Sequence, residues 1–288
     1  MAARVNHVAI ASDQYAMNGR FYQALFGMQP SSKPRPARSV VVGDGYLGLN
    51  CIPRREGRYS GLDHFGIEVE DLEDTIARIV KFDPSLSALK RPPIRPYAAY
   101  SGIDPDTNIY DLSQRNIGFQ KDVYAENDGA QTRPRTVSHI AIRTPHAERC
   151  AEFYATVFGL SLLDTYKDGN FYLSDGRMIL MLIPWRITDF HAQDPARPGL
   201  DHIGFKVESV EQFKKDMDFI VGENPHLRTR ALGYGSEGEA RLNLFKKCPL
   251  GCFHLTDIEG THIDVWSERL PRAGRGHRGH AGGRPSTA

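Results

Sequence analysis

Four histidines stand in four short segments of one shape: a polar residue, His, an apolar residue, a small one and an apolar one. The segments are NHVAI from Asn6, DHFGI from Asp63, SHIAI from Ser138 and DHIGF from Asp201. Two aspartates close a second recurring segment. DPDTNIYDL from Asp104 and DIEGTHIDV from Asp257 each place an Asp seven residues after the first, behind an apolar or aromatic residue. Neutral imidazole and carboxylate together offer a divalent first-row ion borderline and hard ligands, and three such ligands on one face leave positions open. A lone strand histidine is more often a hydrogen-bonded core group than a ligand. Recurrence at matched places is what raises these residues above that reading.

The repeat extends well beyond the histidines. GRFYQALFGM (Gly19 to Met28) matches AEFYATVFGL (Ala151 to Leu160), and VVVGDGYLGLNCIP (Val40 to Pro53) matches FYLSDGRMILMLIP (Phe171 to Pro184). The offset is nearly constant, at about 132 residues, as a duplicated unit requires. Alternation in VNHVAIA and HIGFKVE predicts strands, while GRFYQALFG, DLEDTIARIVKF, ERCAEFYATVFG and VEQFKKDMDFIV carry apolar residues at helical spacing. Gly27 and Gly159 fall where helix C-caps are expected, and Asp44-Gly45 and Asp175-Gly176 read as two-residue hairpin turns. Each unit is therefore strand, helix, then two or three strands.

The chain has 288 residues, enough for two domains of ordinary size. With 36 basic against 35 acidic side chains the net charge is +1, so no overall field draws it to nucleic acid or a membrane surface. No apolar run approaches the roughly 20 residues of a membrane span, and the N-terminus has no leader pattern. A cytoplasmic protein with a small-molecule substrate is expected. Cys51, Cys150, Cys248 and Cys252 are too few for a disulfide scaffold and are read as reduced thiols. Residues 115–136 are polar and aperiodic, as a linker would be, and 269–288 are rich in Gly, Arg and Pro, as a disordered basic tail would be.

Four units of this kind, each opening on a strand-borne His and the even ones closing on a turn such as DPDTNIYDL, resemble the vicinal oxygen chelate (VOC) superfamily. Glyoxalase I, bleomycin-resistance proteins and type I extradiol dioxygenases belong to it. The likeness covers Arg4 to Glu268, and four units in two domains look most like the extradiol dioxygenases. The resemblance implies an α+β fold of four βαβββ modules forming two open-barrel VOC domains, here residues 1–114 and 137–268. It also implies metal ligands on the first strand of each module and the last strand of the second. Carried over, these are His139, His202 and Asp264 in the second domain, and His7, His64 and Asp111 in the first. A duplicated domain often keeps the fold while losing the site, yet both sets are complete.

The sequence departs from the family pattern in places. The usual carboxylate ligand is Glu, whereas Asp111 and Asp264 are one methylene shorter. Extradiol enzymes carry an acid/base His after the DG hairpin, where this chain has Arg177 and Met178, and a Tyr where it has His254. His254 is therefore expected as proton donor or acceptor and Arg177 as a contact to an anionic substrate oxygen. Tyr234, in a Gly-rich insertion, is expected as a lid contact, with Arg186 and His191 at the entrance. A four-ligand isomerase site would need a carboxylate on the last strand of an odd unit, and neither YLGLNCIP nor RMILMLIP contains one. The expected activity is that of a metal-dependent oxygenase using Fe(II), with Mn(II) or Zn(II) as other candidate ions. Its partners would be a small aromatic or phenolic substrate and O2, in a homo-oligomer. A glyoxalase-type isomerase or lyase, and a non-catalytic sequestering protein, are the alternatives.

Overall fold

Helices form where apolar residues fall on one stripe, and they stop where glycine can take a left-handed turn. α1 (Tyr15–Phe26) buries Phe21, Tyr22, Leu25 and Phe26 and ends at Gly27, φ 66°. Its counterpart α3 (Ala147–Phe158) buries Phe153, Tyr154, Val157 and Phe158 and ends at Gly159, φ 68°. Both glycines serve as the expected C-caps. In α2 (Leu72–Phe82) and α4 (Val210–Glu223), Asp71 and Ser209 cap the N-termini by accepting from the backbone N–H of Asp74 and Gln212.

The computed structural model describes residues 3–31, 39–92, 98–115, 133–163, 169–186, 198–229 and 253–267. The first half contributes β1 (Arg4–Ser12), β2 (Gln29–Pro30), β3 (Val40–Gly43), β4 (Gly48–Pro53), β5 (Gly61–Val69), β6 (Leu89–Lys90), β7 (Tyr100–Ile103) and β8 (Ile109–Gln114). These pair in the order β2-β3-β4-β1-β5-β8-β7-β6. The second half contributes β9 (Thr136–Thr144), β10 (Ser161–Leu162), β11 (Phe171–Ser174), β12 (Ile179–Pro184), β13 (Gly199–Lys206), β14 (Phe253–Thr256) and β15 (His262–Trp266). Its order is β10-β11-β12-β9-β13-β15-β14. Each sheet thus has two modules abutting at an antiparallel central pair, β1 with β5 and β9 with β13, and remains open at its edges. The fold is the mixed α+β arrangement of paired βαβββ modules. In the fourth module two strands follow the helix among the described residues.

The hairpins differ from expectation in part. Four residues separate the strands, Asp44 to Leu47 and Asp175 to Met178, and a single backbone bond closes each about a two-residue turn, from Asp44 N–H to Leu47 O and from Asp175 N–H to Met178 O. Asp44 Oδ1 accepts from the N–H of Tyr46 and Leu47, and Asp175 Oδ1 from those of Arg177 and Met178. The side chain takes the N–H groups that a second backbone bond would otherwise use.

One hydrophobic core runs through both halves, because each odd helix lies against the other half's central strand. Phe26 of α1 stacks on Phe205 of β13 with ring centroids 3.8 Å apart, and Tyr154 of α3 lies 6.1 Å from Phe65 of β5. Polar contacts cross the same seam in matched pairs. Asp44 Oδ2 accepts from Val137 N at 2.9 Å, and Asp175 Oδ2 from Val5 N at 3.0 Å. Asp104 accepts from Tyr154 Oη at 2.9 Å, and Asp257 from Tyr22 Oη at 3.3 Å and Asn18 Nδ2 at 3.0 Å. α1 and α3 have no side-chain cap of their own. Glu259 reaches the N–H groups of Asp13 and Gln14, and Asp106 that of His146. Each half therefore finishes the helices of the other.

Candidate metal centres

A regular strand sends successive side chains to opposite faces, so a histidine and the residue before it should not meet. Here they do, because each of the four polar-His pairs sits on a β-bulge. In the β1–β5 register Val5 pairs Ile67 and His7 pairs Gly66, leaving Asn6 as the extra residue; Asp63 is extra between Leu62 and His64. Ser138 and Asp201 hold the same places in the β9–β13 register. The bulge turns both side chains of each pair to the inner face. Nδ1 of His7 then meets Asn6 Oδ1 at 2.8 Å, and His64 meets Asp63 Oδ2 at 2.7 Å. His139 meets Ser138 Oγ at 3.1 Å, and His202 meets Asp201 Oδ2 at 2.6 Å. A carboxylate or amide oxygen accepts the Nδ1 proton and leaves Nε2 with its lone pair, the tautomer a metal ligand needs.

These outer partners are themselves held. Arg143 Nε donates to Asp201 Oδ1, and Trp266 Nε1 donates to Ser138 Oγ at 2.7 Å. Asn6 Nδ2 donates to Ser113 Oγ at 3.2 Å, which fixes which end of the amide faces His7. The glycine two places after His64 and His202 has its own reason. A Cβ on Gly66 would lie 2.1 Å from Cε1 of His7, and one on Gly204 1.9 Å from Cε1 of His139. Only glycine lets the facing imidazole lie across the neighbouring strand.

The Nε2 atoms converge on the carboxylates expected from the sequence. Ligand atoms of His139, His202 and Asp264, and likewise of His7, His64 and Asp111, lie within 4.8 Å of one another. Asp264 Oδ2 is 3.2 Å from His202 Nε2 and 3.6 Å from His139 Nε2. In the first half the corresponding distances from Asp111 Oδ2 are 3.4 Å to His64 and 4.0 Å to His7. Ligands bonded to one ion at about 2.0–2.2 Å stand roughly 3 Å apart, so the donor set fits a divalent ion in type and spacing. The second oxygen of each carboxylate is tied back across the hairpin: Asp264 Oδ1 to His254 Nδ1 at 2.6 Å, and Asp111 Oδ1 to Ser101 Oγ. Arg91 Nε donates to that Ser101 oxygen at 2.6 Å.

Electrostatics keep the two carboxylates ionised, the form in which they bind a metal ion. Burial disfavours the Asp264 carboxylate, yet the charge of His202 and hydrogen bonds from His139, His202 and His254 hold its pKa well below the usual range. Asp111 is likewise drawn down to about 2 against its burial, chiefly by His64. His64, disfavoured as a cation by burial, is raised to about 9 by its bonds to Asp111 and Asp63. A proton shared between imidazole and carboxylate occupies the place a metal ion competes for.

No carboxylate faces either cluster from the neighbouring strand. In the parallel registers His7 lies beside Gly48 of β4, and His139 beside Ile179 of β12. Around the second cluster, Ala141, Leu163, Tyr172, Ile179 and Met181 form a separate apolar group inside the sheet. The other expected contributors fare differently. His254 is beside the cluster, bonded to Asp264. Arg177 is not gathered there: its guanidinium stacks on the Tyr46 ring at 4.2 Å, at the seam between the halves. Arg186 is described, whereas Tyr234, His191, Cys248, Cys252, most of the 115–136 segment and the 269–288 tail lie outside the described residues. Asn6, Asp63, Ser138, Asp201, Gly66 and Gly204 were within reach of sequence reasoning, through the polar-His-apolar-small recurrence, but not their roles.

Residues 136–225 match the family model described as Glyoxalase/Bleomycin resistance protein/Dioxygenase superfamily. Among solved structures, the chain is similar to a xylose isomerase-like TIM barrel/4-hydroxyphenylpyruvate dioxygenase fusion protein, with a TM-score of 0.62 at 15% identity. That match covers 96% of this chain but 50% of the fusion protein, so the chain spans half its length. It is similar to the Mn(II)-bound glyoxalase from Novosphingobium aromaticivorans, with TM-score 0.60, 15% identity and coverage of 91% and 82%. It is also similar to the 2,3-dioxygenase LapB from Pseudomonas sp. KL28, with TM-score 0.59, 15% identity and coverage of 93% and 92%. No curated protein sequence matches. No described helix is long and apolar enough to cross a membrane. Residues 136–225 thus match the glyoxalase, bleomycin-resistance and dioxygenase superfamily by sequence, and nearly the whole chain shares the fold of the glyoxalase and 2,3-dioxygenase structures.

Proposed function

We propose that the chain is a metal-dependent oxygenase of the extradiol type, acting on a small aromatic or phenolic compound at its C-terminal cluster. The observation that carries this reading is the three-donor set of His139, His202 and Asp264, with each far nitrogen or oxygen already engaged and no carboxylate on β12, where Ile179 lies beside His139. Three ligands on one face leave room for two substrate oxygens and dioxygen. The ion, Fe(II) in this reading, would chelate vicinal oxygens, lower their pKa and accept dioxygen at an open position. The chain's own residues do the rest. Asp201 and Ser138 keep both imidazoles in register. His254 holds Asp264 through Nδ1 and would relay a proton between that edge of the site and substrate. Tyr172, Ile179 and Met181 would make the surroundings of the ion apolar, as binding of a flat ring needs.

The test is oxygen uptake by protein loaded anaerobically with Fe(II) and offered a panel of catechols. Uptake that disappears in His202→Ala supports the reading. A metal-loaded protein that consumes no oxygen on any catechol, yet isomerises a 2-oxoaldehyde–thiol adduct, would establish the glyoxalase-type alternative in its place.

A further inference from the structure

The N-terminal cluster repeats the bulges, the clearing glycine and the braced carboxylate of the C-terminal one. Asn6 and Asp63 are bulge residues holding His7 and His64, as Ser138 and Asp201 hold His139 and His202. Gly66 clears the His7 ring as Gly204 clears that of His139. Ser101 braces Asp111 from the facing hairpin strand, in the register place that His254 has opposite Asp264. A half kept only for its fold has no physical use for this assembly. Burying two imidazoles and a carboxylate carries a desolvation cost that apolar side chains of similar volume avoid.

We propose that His7, His64 and Asp111 hold a second divalent metal ion, in a sphere more open and faster to exchange than that of the C-terminal site. The difference in openness is read from three features. The His64 side chain keeps 13% of its surface exposed against 1% for His202, and Asp111 7% against 0% for Asp264. The Nε2–Oδ2 distances are longer, 3.4 and 4.0 Å against 3.2 and 3.6 Å. Beside His7 the neighbouring strand presents Gly48, without a side chain, where His139 has Ile179. Water and small oxygen ligands therefore reach this ion past His64, on a side that His202 closes in the other half. The two halves divide their labour: an apolar-walled site for a ring, and a hydrated site for an exchangeable ion.

The proposal rests on the same donor-set reading as the proposed function, and one experiment separates their failures. The full chain is loaded with Mn(II), freed of excess ion, and its metal content measured by elemental mass spectrometry. Release to a chelator is then followed for the parent, His64→Ala and His202→Ala. The expected result is two ions per chain leaving in two phases, the fast phase missing from His64→Ala and the slow one from His202→Ala. Asp63→Asn, which keeps the side-chain shape, serves if His64→Ala fails to fold; it should weaken the fast-phase ion about 10–100-fold and leave the slow phase alone. One ion per chain, kept in His64→Ala and lost in His202→Ala, overturns this proposal and leaves the oxygenase reading intact. Two ions with the phases assigned the other way overturn the claim of openness. No ion at all overturns both.

Discussion

Replacing Gly204 by alanine is a one-carbon change that should remove one metal ion. The new Cβ would lie 1.9 Å from Cε1, 2.1 Å from Nδ1 and 2.4 Å from Nε2 of His139. Carbon–carbon contact is comfortable from about 3.5 Å, so the ring must withdraw by about 1.5 Å. It has nowhere to go: His139 is fully buried, its Nδ1 lies against Ser138, and Ser138 is bonded to Trp266. Metal–ligand distances tolerate only about 0.2 Å, so a shift of that size removes the ligand altogether. Loss of a direct ligand should exceed the roughly 10–100-fold typical of losing an outer partner, so affinity at the C-terminal site should fall at least about 100-fold. The metal-free protein should lose about 1–3 kcal/mol from overpacking. At roughly 2–4 °C per kcal/mol for chains of this order, that is a fall of several degrees in Tm. Metal titration and thermal melting of the metal-free variant provide the two readouts. Gly66→Ala is the internal control, since its Cβ would strike His7 instead and should spare the C-terminal ion. Parent-like affinity at both sites in Gly204→Ala would refute the idea that glycine is there to make room for the facing imidazole.

Two further outcomes follow from the same contacts. Asp201→Asn keeps the shape but removes the charge bonded to Arg143 and His202, and should weaken the C-terminal ion about 10–100-fold without unfolding the chain, as judged by competition against a chelator of known affinity. Burial raises the carboxyl pKa of Asp257 above its ordinary value, outweighing the bonds from Thr261, Glu259 and Asn18. The native state therefore holds that proton to higher pH than the unfolded chain does, and this group's contribution to stability declines as pH rises from about 4 through its native pKa. Urea unfolding of metal-free parent and Asp257→Asn at pH 4.5 and 7 checks the sign: the variant should gain on the parent at the higher pH, and an unchanged difference would show that the carboxyl does not titrate abnormally.

The fold was legible because the repeat fixed the module, and the two periods, 2 and 3.6, fixed the elements within it. His7, His64, Asp111 and their partners were legible because they recur. What escaped was anything needing register. In all four leading strands the core-facing apolar residues flank the polar-His pair at a spacing of three, as in Val5 to Val8 and Val137 to Ile140. Strict alternation would require two or four, so that spacing is the trace of the bulge. The part of the Asp carboxylate in the hairpins escaped because Asp-Gly carries the same signal whether the turn closes through two backbone bonds or through one and the carboxylate. The stacking of Arg177 on Tyr46 escaped as well. The caps of α1 and α3 could not be found locally at all, since Glu259 and Asp106 arrive from the other half of the chain.

The matched contacts across the seam have the form of an isologous dimer interface. Asp104 takes Tyr154 while its counterpart Asp257 takes Tyr22, and Asp44 takes Val137 while Asp175 takes Val5. The same patch is used twice around a pseudo-twofold axis, as two copies of one subunit would use it. The chain is built like a homodimer whose partners were joined into one polypeptide. Neither half carries a complete set of its own helix caps or of partners for its buried turn aspartates, so the halves are obligate to each other. That face is also spent. Any association of whole chains has to use a different surface, and the axis relating them would be a second one, unrelated to the first.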